Sequence, residues 1–217
     1  FRGTPVPRLP KWGAAFVLLP CVLMLGAGLG GSLAQMQPES AAEFQAAMDA
    51  QGAEMAALIE AERVAYGSGT YAEATAQRLR DFGAMMGMLP MFGAFILGLF
   101  LIGAWFARSG AIARPHEHAA VFARLRWVVF PIGVLLTLAA WRLEPTMDFS
   151  RMDARAMGAH AMQMLGGAMM MLGYLAWIVR ALQGSPFAGL LGWLAPAGRM
   201  ALTPYLLQSL VMTWIFY

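Results

Sequence analysis

Five stretches with almost no charged residue constrain this chain more than any other feature of its sequence. They are residues 12–38, 82–107, 127–141, 156–179 and 198–217. An uncharged apolar run of about 20 residues crosses the roughly 30 Å hydrocarbon core of a bilayer as a helix. The shortest stretch, residues 127–141, is flanked by arginines that can reach the headgroups and so extend it. The pattern predicts an all-α integral membrane helical bundle with about five transmembrane helices.

The composition agrees with a membrane protein and argues against other classes. Apolar residues make up 59% of the chain and charged residues only 12%, where about a quarter is typical of soluble domains. The net charge of +3 does not indicate a nucleic-acid partner, because the basic residues are scattered over short loops and form no stripe. The single cysteine, Cys21, excludes an internal disulfide and a zinc site built on cysteines.

Residues 39–81 are the only stretch with the composition of a soluble segment, and their pattern predicts an external helical hairpin. Residues 40–43 (SAAE) and 70–73 (TYAE) each have the capping-box spacing that opens a helix. A glycine-rich turn at residues 67–69 separates the two helices. The first helix carries an apolar stripe at Phe44, Met48, Met55 and Ile59.

The loop charges predict how the chain crosses the membrane. Net charge is +3 in residues 1–11, −5 in 39–81, +3 in 108–126, zero in 142–155 and +2 from Arg180 with Arg199. Cytoplasmic loops carry an excess of Lys and Arg, so the amino terminus of this chain is predicted to be cytoplasmic and the hairpin outside. The alternative for residues 12–38 is a secretory signal peptide, because residues 32–34 (SLA) resemble a cleavage site.

Residues 198–217 place polar groups inside an apolar run. One sector of a helix there carries Tyr205, Ser209 and Thr213, with Gln208 at its edge. Polar groups in hydrocarbon must find partners, so this sector is expected to face protein, either as a packing face or as a binding face. Pro204 either kinks the helix or opens a new one capped by Thr203.

Three motifs follow one another along the chain. They are residues 66–73 (YGSGTYAE) with Gln77-Arg78, residues 98–110 (GLFLIGAWFARSG) and residues 198–209 (GRMALTPYLLQS). In this order they resemble the YeiB family, bacterial membrane proteins defined by domain of unknown function 418, which usually has asparagine where Pro204 stands. The amino-terminal half of that family has no counterpart here. Residues 1–217 are therefore expected to be a single membrane domain, the carboxy-terminal half of a longer protein, with 39–81 as an insertion.

The resemblance also implies a function. The YeiB family is grouped with membrane acyltransferases and is similar to the heparan-glucosaminide acetyltransferases. An enzyme of the bacterial inner membrane is then expected, moving an acyl group from cytoplasmic acyl-CoA, as co-substrate, to an acceptor at or across the membrane. No covalently bound cofactor is expected. The expected partners are membrane lipid, the missing amino-terminal half or another membrane subunit, and further copies of the chain, but not nucleic acid.

Candidate site residues follow from side-chain chemistry and from the third motif, residues 198–209, which we call the signature. Arg108 and Arg199 have the guanidinium geometry that binds CoA phosphates, and their alternative role is to anchor lipid headgroups. Tyr205, Gln208 and Ser209 are the expected substrate-binding residues beside Arg199. The same sequence is also compatible with a transporter-like module, or with a structural membrane module that carries out no catalysis.

His160 is the candidate catalytic residue, because an imidazole inside a span can act as a general base toward an acceptor hydroxyl. Gln163 and Tyr174 are expected on or near its helix face. The methionine runs at 85–91 and 162–171 surround their helices instead of converging, which favours packing over copper binding, and no metal site is expected.

The predicted topology can be tested with one cysteine. Ser68→Cys places a thiol in the hairpin turn, so it should react with a membrane-impermeant maleimide in intact cells. A cysteine at Ser109, on the predicted cytoplasmic side, is the matched control and should react only after the cells are opened. Protection of the thiol at position 68 would reverse the orientation.

Overall fold

The computed structural model describes residues 3–146, 151–183, 189, 192–193, 196 and 202–216. Every regular element in this part of the chain is helical, which confirms the all-α class. The α-helices are α1 (Leu9–Met36), α2 (Pro38–Gly67), α3 (Tyr71–Arg108), α4 (Ala119–Arg124), α5 (Phe130–Leu143), α6 (Ala154–Leu182) and α7 (Leu202–Phe216). Short 3-10 turns precede α1 and α4, and a π-helical turn, Leu125–Val129, joins α4 to α5.

Four helical stretches among the described residues are long and apolar enough to cross a membrane. They are Val6–Met36, Leu89–Arg108, Pro115–Leu143 and Ala154–Leu182. They correspond to the first four predicted spans. The third is longer than predicted, because α4, the π turn and α5 form one continuous stretch. The fifth predicted span contains α7, which has 15 residues, and residues 198–201 and 217 lie outside the described part. A fifth crossing therefore stays a prediction.

The π turn has a simple cause in the sequence. Pro131 has no amide hydrogen, so it cannot bond the carbonyl four residues earlier. The preceding residue, Phe130, donates its amide to Leu125 O, five residues back, and the wider turn lets the helix continue past the proline.

The chain forms two compact units, Phe1–Tyr174 and Leu175–Tyr217. The first contains α1 to α5 and most of α6, and the second contains the end of α6 and α7. The single domain expected from the sequence stays a prediction.

Glycines let α1 and α3 touch backbone to backbone in the first unit. A Cβ added at Gly98 would lie 2.7 Å from Gly13 O, and one added at Gly13 would lie 2.8 Å from Gly98 O. Carbon cannot approach oxygen that closely, so both positions require glycine in this packing. Lipid tails are as apolar as the side chains, so helices in a bilayer associate through close van der Waals contact, which small residues permit.

The same device joins α6 to α1 and to α5. A Cβ at Gly28 of α1 would lie 2.7 Å from Met157 Cβ, and one at Gly133 of α5 would lie 2.9 Å from Gly166 O. Only some of the glycines of α1 take part in this packing. Gly28 and Gly31 pack closely, whereas a Cβ at Gly26 or Gly30 would meet nothing within 4 Å.

The second helix of the hairpin begins as predicted. Thr70 is the N-cap of α3, its Oγ1 accepts from the Glu73 amide at 3.4 Å, and Glu73 Oε2 accepts from the Thr70 amide at 2.7 Å. The Thr70 amide and, to a smaller extent, the Thr70 hydroxyl donate to the Glu73 carboxylate and hold its pKa below its usual value. From this cap α3 runs without a break into its membrane span.

The first capping box is wrong as a helix start. Helix α2 begins at Pro38 with Gln37 as its N-cap, and Ser40 Oγ donates to Ala34 O at 2.9 Å instead of accepting an amide. Proline is favoured at the first helical position and forces the preceding residue into extended backbone, so Pro38 sets the start. Only two of the four residues of the apolar stripe are shielded from solvent. Phe44 and Met48 are partly buried, but Met55 and Ile59 are exposed.

The glycine contact between α1 and α3 can be tested by a matched pair of substitutions. Gly98→Ala should lower the free energy of unfolding by about 1–3 kcal/mol, because the added methyl group overpacks the contact with Gly13. Gly103→Ala, in the same span, should not destabilise, since a Cβ there meets nothing within 4 Å. Melting temperatures in detergent distinguish the two. Equal effects of both variants would contradict the packing.

Candidate functional site

An apolar cleft of about 390 Å³ lies in the first unit, where α6 passes α1 and α3. Its lining residues are Met24 of α1, Phe92, Phe95 and Leu99 of α3, and His160, Gln163, Met164, Gly167, Ala168 and Met171 of α6. The α6 residues recur at helical spacing and form one face of the helix. The volume lies in the range of small-molecule sites, and the lining is apolar except at two side chains, His160 and Gln163.

His160 is the titratable group of this cleft. The residue is 5% exposed, and its Nδ1 lies 2.7 Å from Ala156 O, one turn earlier in α6. A carbonyl oxygen can only accept a hydrogen bond, so Nδ1 carries the hydrogen. In the neutral imidazole the lone pair is then on Nε2, which is the arrangement of a general base. Nε2 itself is buried, so an acceptor can reach it only after the side chains of the cleft move.

The two side chains expected near His160 separate in the structure. Gln163 lines the same cleft, so the amide lies with the imidazole as predicted. Tyr174 does not belong to this group. Fourteen residues of helix carry it about 21 Å further along α6. There its ring packs edge-on against Phe130, with 5.1 Å between ring centroids.

The substrate-binding residues expected in residues 198–217 belong to the second unit. Tyr205, Gln208 and Ser209 are exposed on α7, and Pro204 falls in the first turn of that helix, where its missing amide removes no helical bond. Ser209 Oγ donates to Tyr205 O at 3.1 Å. Arg199 lies outside the described residues.

Arg108 closes α3 at the end of the span away from the hairpin. Its side chain is exposed in the last helical turn, where a cation is favoured by the helix dipole. Nine residues separate it from Leu99 of the cleft, about 14 Å along the helix axis. The structure therefore does not bring Arg108 and His160 together.

The first motif of the resemblance closes the hairpin. Tyr66 OH donates to Asp81 Oδ2 at 2.6 Å and Gln77 Nε2 donates to Asp81 Oδ1 at 2.7 Å, so α2 and α3 share one carboxylate. The hydrogen bond to Asp81 raises the pKa of Tyr66 to about 12. A phenol held as a donor this strongly is a structural link and not a nucleophile at neutral pH.

Sequence reasoning missed a group of charged residues where α5 ends and α6 begins. Glu144 is 4% exposed and accepts from Arg151 Nη1 at 3.0 Å, while Arg151 Nη2 donates to Asp153 Oδ2 at 2.6 Å. Asp153 also accepts from the Ala156 amide at 2.9 Å, which caps α6. The hydrogen bond from the Ala156 amide, with a smaller contribution from Arg151, lowers the pKa of Asp153, although partial burial acts in the opposite direction. Asp before an apolar helical run was the available signal.

In the described part of the chain, no group of three or more His, Cys, Asp or Glu side chains could hold a metal ion. His116 and His118 lie in the 3-10 turn before α4. The His118 ring packs edge-on against Trp105, with 6.3 Å between ring centroids.

Comparison with known proteins identifies the family. The family described as "Protein of unknown function (DUF418)" matches residues 106–217. The Bacillus subtilis (strain 168) protein named "Uncharacterized protein YxaH" is 30% identical over 162 residues, which is 70% of this chain and 37% of the relative. The Escherichia coli (strain K12) protein named "Uncharacterized protein YeiB" is 32% identical over 153 residues, 67% of this chain and 37% of the relative.

No solved structure matches the chain. In both curated relatives the matched region is little more than a third of the protein. The family match covers more than half of this chain, and it contains α4 to α7 with His160 and the closing signature. The chain therefore belongs to the YeiB-type DUF418 family of membrane proteins.

Proposed function

We propose that this chain is part of a bacterial inner-membrane acyltransferase that moves an acyl group from cytoplasmic acyl-CoA to an acceptor hydroxyl. One observation carries the proposal: an imidazole with Nδ1 fixed as a donor lines a membrane cleft that is otherwise almost wholly apolar. An apolar cleft suits the acyl chain, and the imidazole supplies the base that the transfer requires.

The residues of the cleft have distinct roles in the transfer. His160 Nε2 takes the proton of the acceptor hydroxyl as the hydroxyl oxygen attacks the thioester carbonyl. The carbon–sulfur bond then breaks, and the departing CoA thiolate takes the proton back from the imidazolium. The Gln163 amide can donate to the carbonyl oxygen as negative charge develops on it. No oxidant, reductant or metal is needed.

The acyl-CoA donor is proposed to bind at the end of α3 that carries Arg108. With the amino terminus in the cytoplasm, Arg108 lies on the cytoplasmic side and is proposed to bind CoA phosphates, as guanidinium groups do. The stretch of about 14 Å between Arg108 and the cleft is then bridged by the arm that carries the thioester. The signature residues Arg199, Tyr205, Gln208 and Ser209 are proposed to take part in substrate binding as well.

The part of the longer protein outside this chain is also proposed to contribute to the transfer. The curated relatives extend well beyond the matched region, so the amino-terminal half of the same protein, or another membrane subunit, is proposed to close the cleft and to bring the acceptor. Membrane lipid surrounds the bundle, and association with further copies of the chain is also proposed.

The test uses the full-length protein in native-lipid membranes supplied with acyl-CoA. His160→Asn keeps a donor at the position of Nδ1, so the bond to Ala156 O survives, but it removes the base. Release of CoA thiol should fall by about 10²–10⁴-fold, the usual contribution of a general base, while the melting temperature stays close to wild type. His116→Asn, in the loop before α4, is the control and should leave the rate unchanged.

Steady-state kinetics separate a catalytic from a structural role. Loss of the base in the His160→Asn variant should lower kcat and leave the KM for acyl-CoA nearly unchanged, because the interaction that is lost forms only in the transition state. A folded His160→Asn variant that releases CoA at the wild-type rate would end the proposal.

A further inference from the structure

A second cavity lies at the end of the first unit where α1 finishes and α6 begins. It has a volume of about 500 Å³, within the range of small-molecule sites. Its lining residues are Gln35 of α1, Phe44, Gln45, Met48, Asp49 and Gly52 of α2, and Arg151, Met152 and Asp153 before α6. Neither the family nor the proposed acyl transfer assigns it a role.

One wall of the cavity is a single face of α2. Phe44, Met48 and Gly52 follow one another at four-residue spacing, and Gln45 and Asp49 form the adjacent row. This face combines an aromatic ring, a thioether, an amide and a carboxylate. Gly52 leaves room at its far end, because a Cβ there would meet nothing within 4 Å.

The opposite wall is fixed in place. The Met152 carbonyl lies against Gly31 of α1, and Ser32 Oγ accepts from the Ala154 amide at 2.9 Å. Arg151 bridges the Glu144 and Asp153 carboxylates, so the guanidinium is held by two acids and cannot swing freely across the cavity. The cavity is therefore a preformed space between α2 and the residues that begin α6.

The charges around the cavity favour a cation. Arg151 is compensated by the two carboxylates that it bridges, and buried Glu144 lies behind it. Asp49 accepts from the neutral Gln45 amide at 2.8 Å, and no ion pair of the described residues includes it. Its negative charge is thus uncompensated within the cavity. Residues 39–81 as a whole carry a net charge of −5, which repels anions from the entrance.

We propose that this cavity binds a small organic cation that carries a primary ammonium group. The ammonium group pairs with the Asp49 carboxylate, and the Phe44 ring can contribute a cation–π contact. Met48 and Met152 cover the aliphatic part of the ligand. The site is distinct from the acyl cleft, since Asp153 precedes His160 by seven residues, about 10 Å along α6. It does not depend on acyl transfer.

The test compares three four-carbon probes that differ in charge. Putrescine is dicationic, butane-1,4-diol is neutral and succinate is anionic. Isothermal titration of the full-length protein in detergent should show saturable binding of putrescine that weakens as salt is raised. Butane-1,4-diol and succinate should not bind saturably. Equal binding of all three probes, or no binding of putrescine, would overturn the proposal.

Two variants locate the bound cation. Asp49→Asn changes the charge but not the shape and should weaken putrescine binding at least tenfold. Glu54→Gln, also exposed on α2 but outside the cavity lining, removes the same charge and should change the affinity less than twofold. Phe44→Leu keeps an apolar side chain and should weaken binding severalfold through loss of the ring. Equal effects of Asp49→Asn and Glu54→Gln would show only a diffuse attraction and would contradict the site.

Discussion

Close backbone contact at glycine is the interaction on which the first unit depends. Gly13 and Gly98 join α1 to α3, Gly28 receives the start of α6, and Gly133 meets Gly166 between α5 and α6. Helices that are already inside a bilayer gain nothing from leaving water, so close van der Waals packing must stabilise their association. Each glycine brings two backbones close enough for that contact. A single added methyl group at these positions would have to push two helices apart.

The cleft follows from where those contacts end. On α3, Gly98 touches α1, whereas Leu99, turned about 100° around the helix, lines the cleft. On α1, Gly28 touches α6, and Met24, one turn earlier, lines the cleft as well. Helix α1 thus touches α3 and α6 at glycines, and larger apolar side chains of all three helices border the space beside these contacts. His160 lies there because it is about two turns from the capped start of α6, which packs against Gly28.

The sequence predicted the features that depend on local chemistry and missed those that depend on distant partners. The Thr70 capping box and the helical class are local, and both are confirmed. The Ser40 capping box failed because Pro38, two residues earlier, is a stronger start signal than the box itself.

The candidate site shows the same division. His160 was predicted as a single ionisable residue in a span, but its neighbours Met24, Phe92 and Phe95 come from other helices, and no spacing in the sequence connects them. Tyr174 lay on nearly the same predicted face as His160, yet the length of α6 separates the two. The ion pairs of Arg151 likewise required the ends of α5 and α6 to meet. The signature residues Tyr205, Gln208 and Ser209 stay predictions.

Photolabelling can show whether the cleft beside His160 holds an acyl chain. Full-length protein would be illuminated with an acyl-CoA that carries a diazirine in the acyl chain, and the labelled residues would be mapped by mass spectrometry. Labels are expected on Met24, Phe92, Phe95 or Met164, and they should disappear when excess unlabelled acyl-CoA competes. Labels confined to exposed side chains of the spans such as Phe100 and Leu135, unchanged by the competitor, would contradict it.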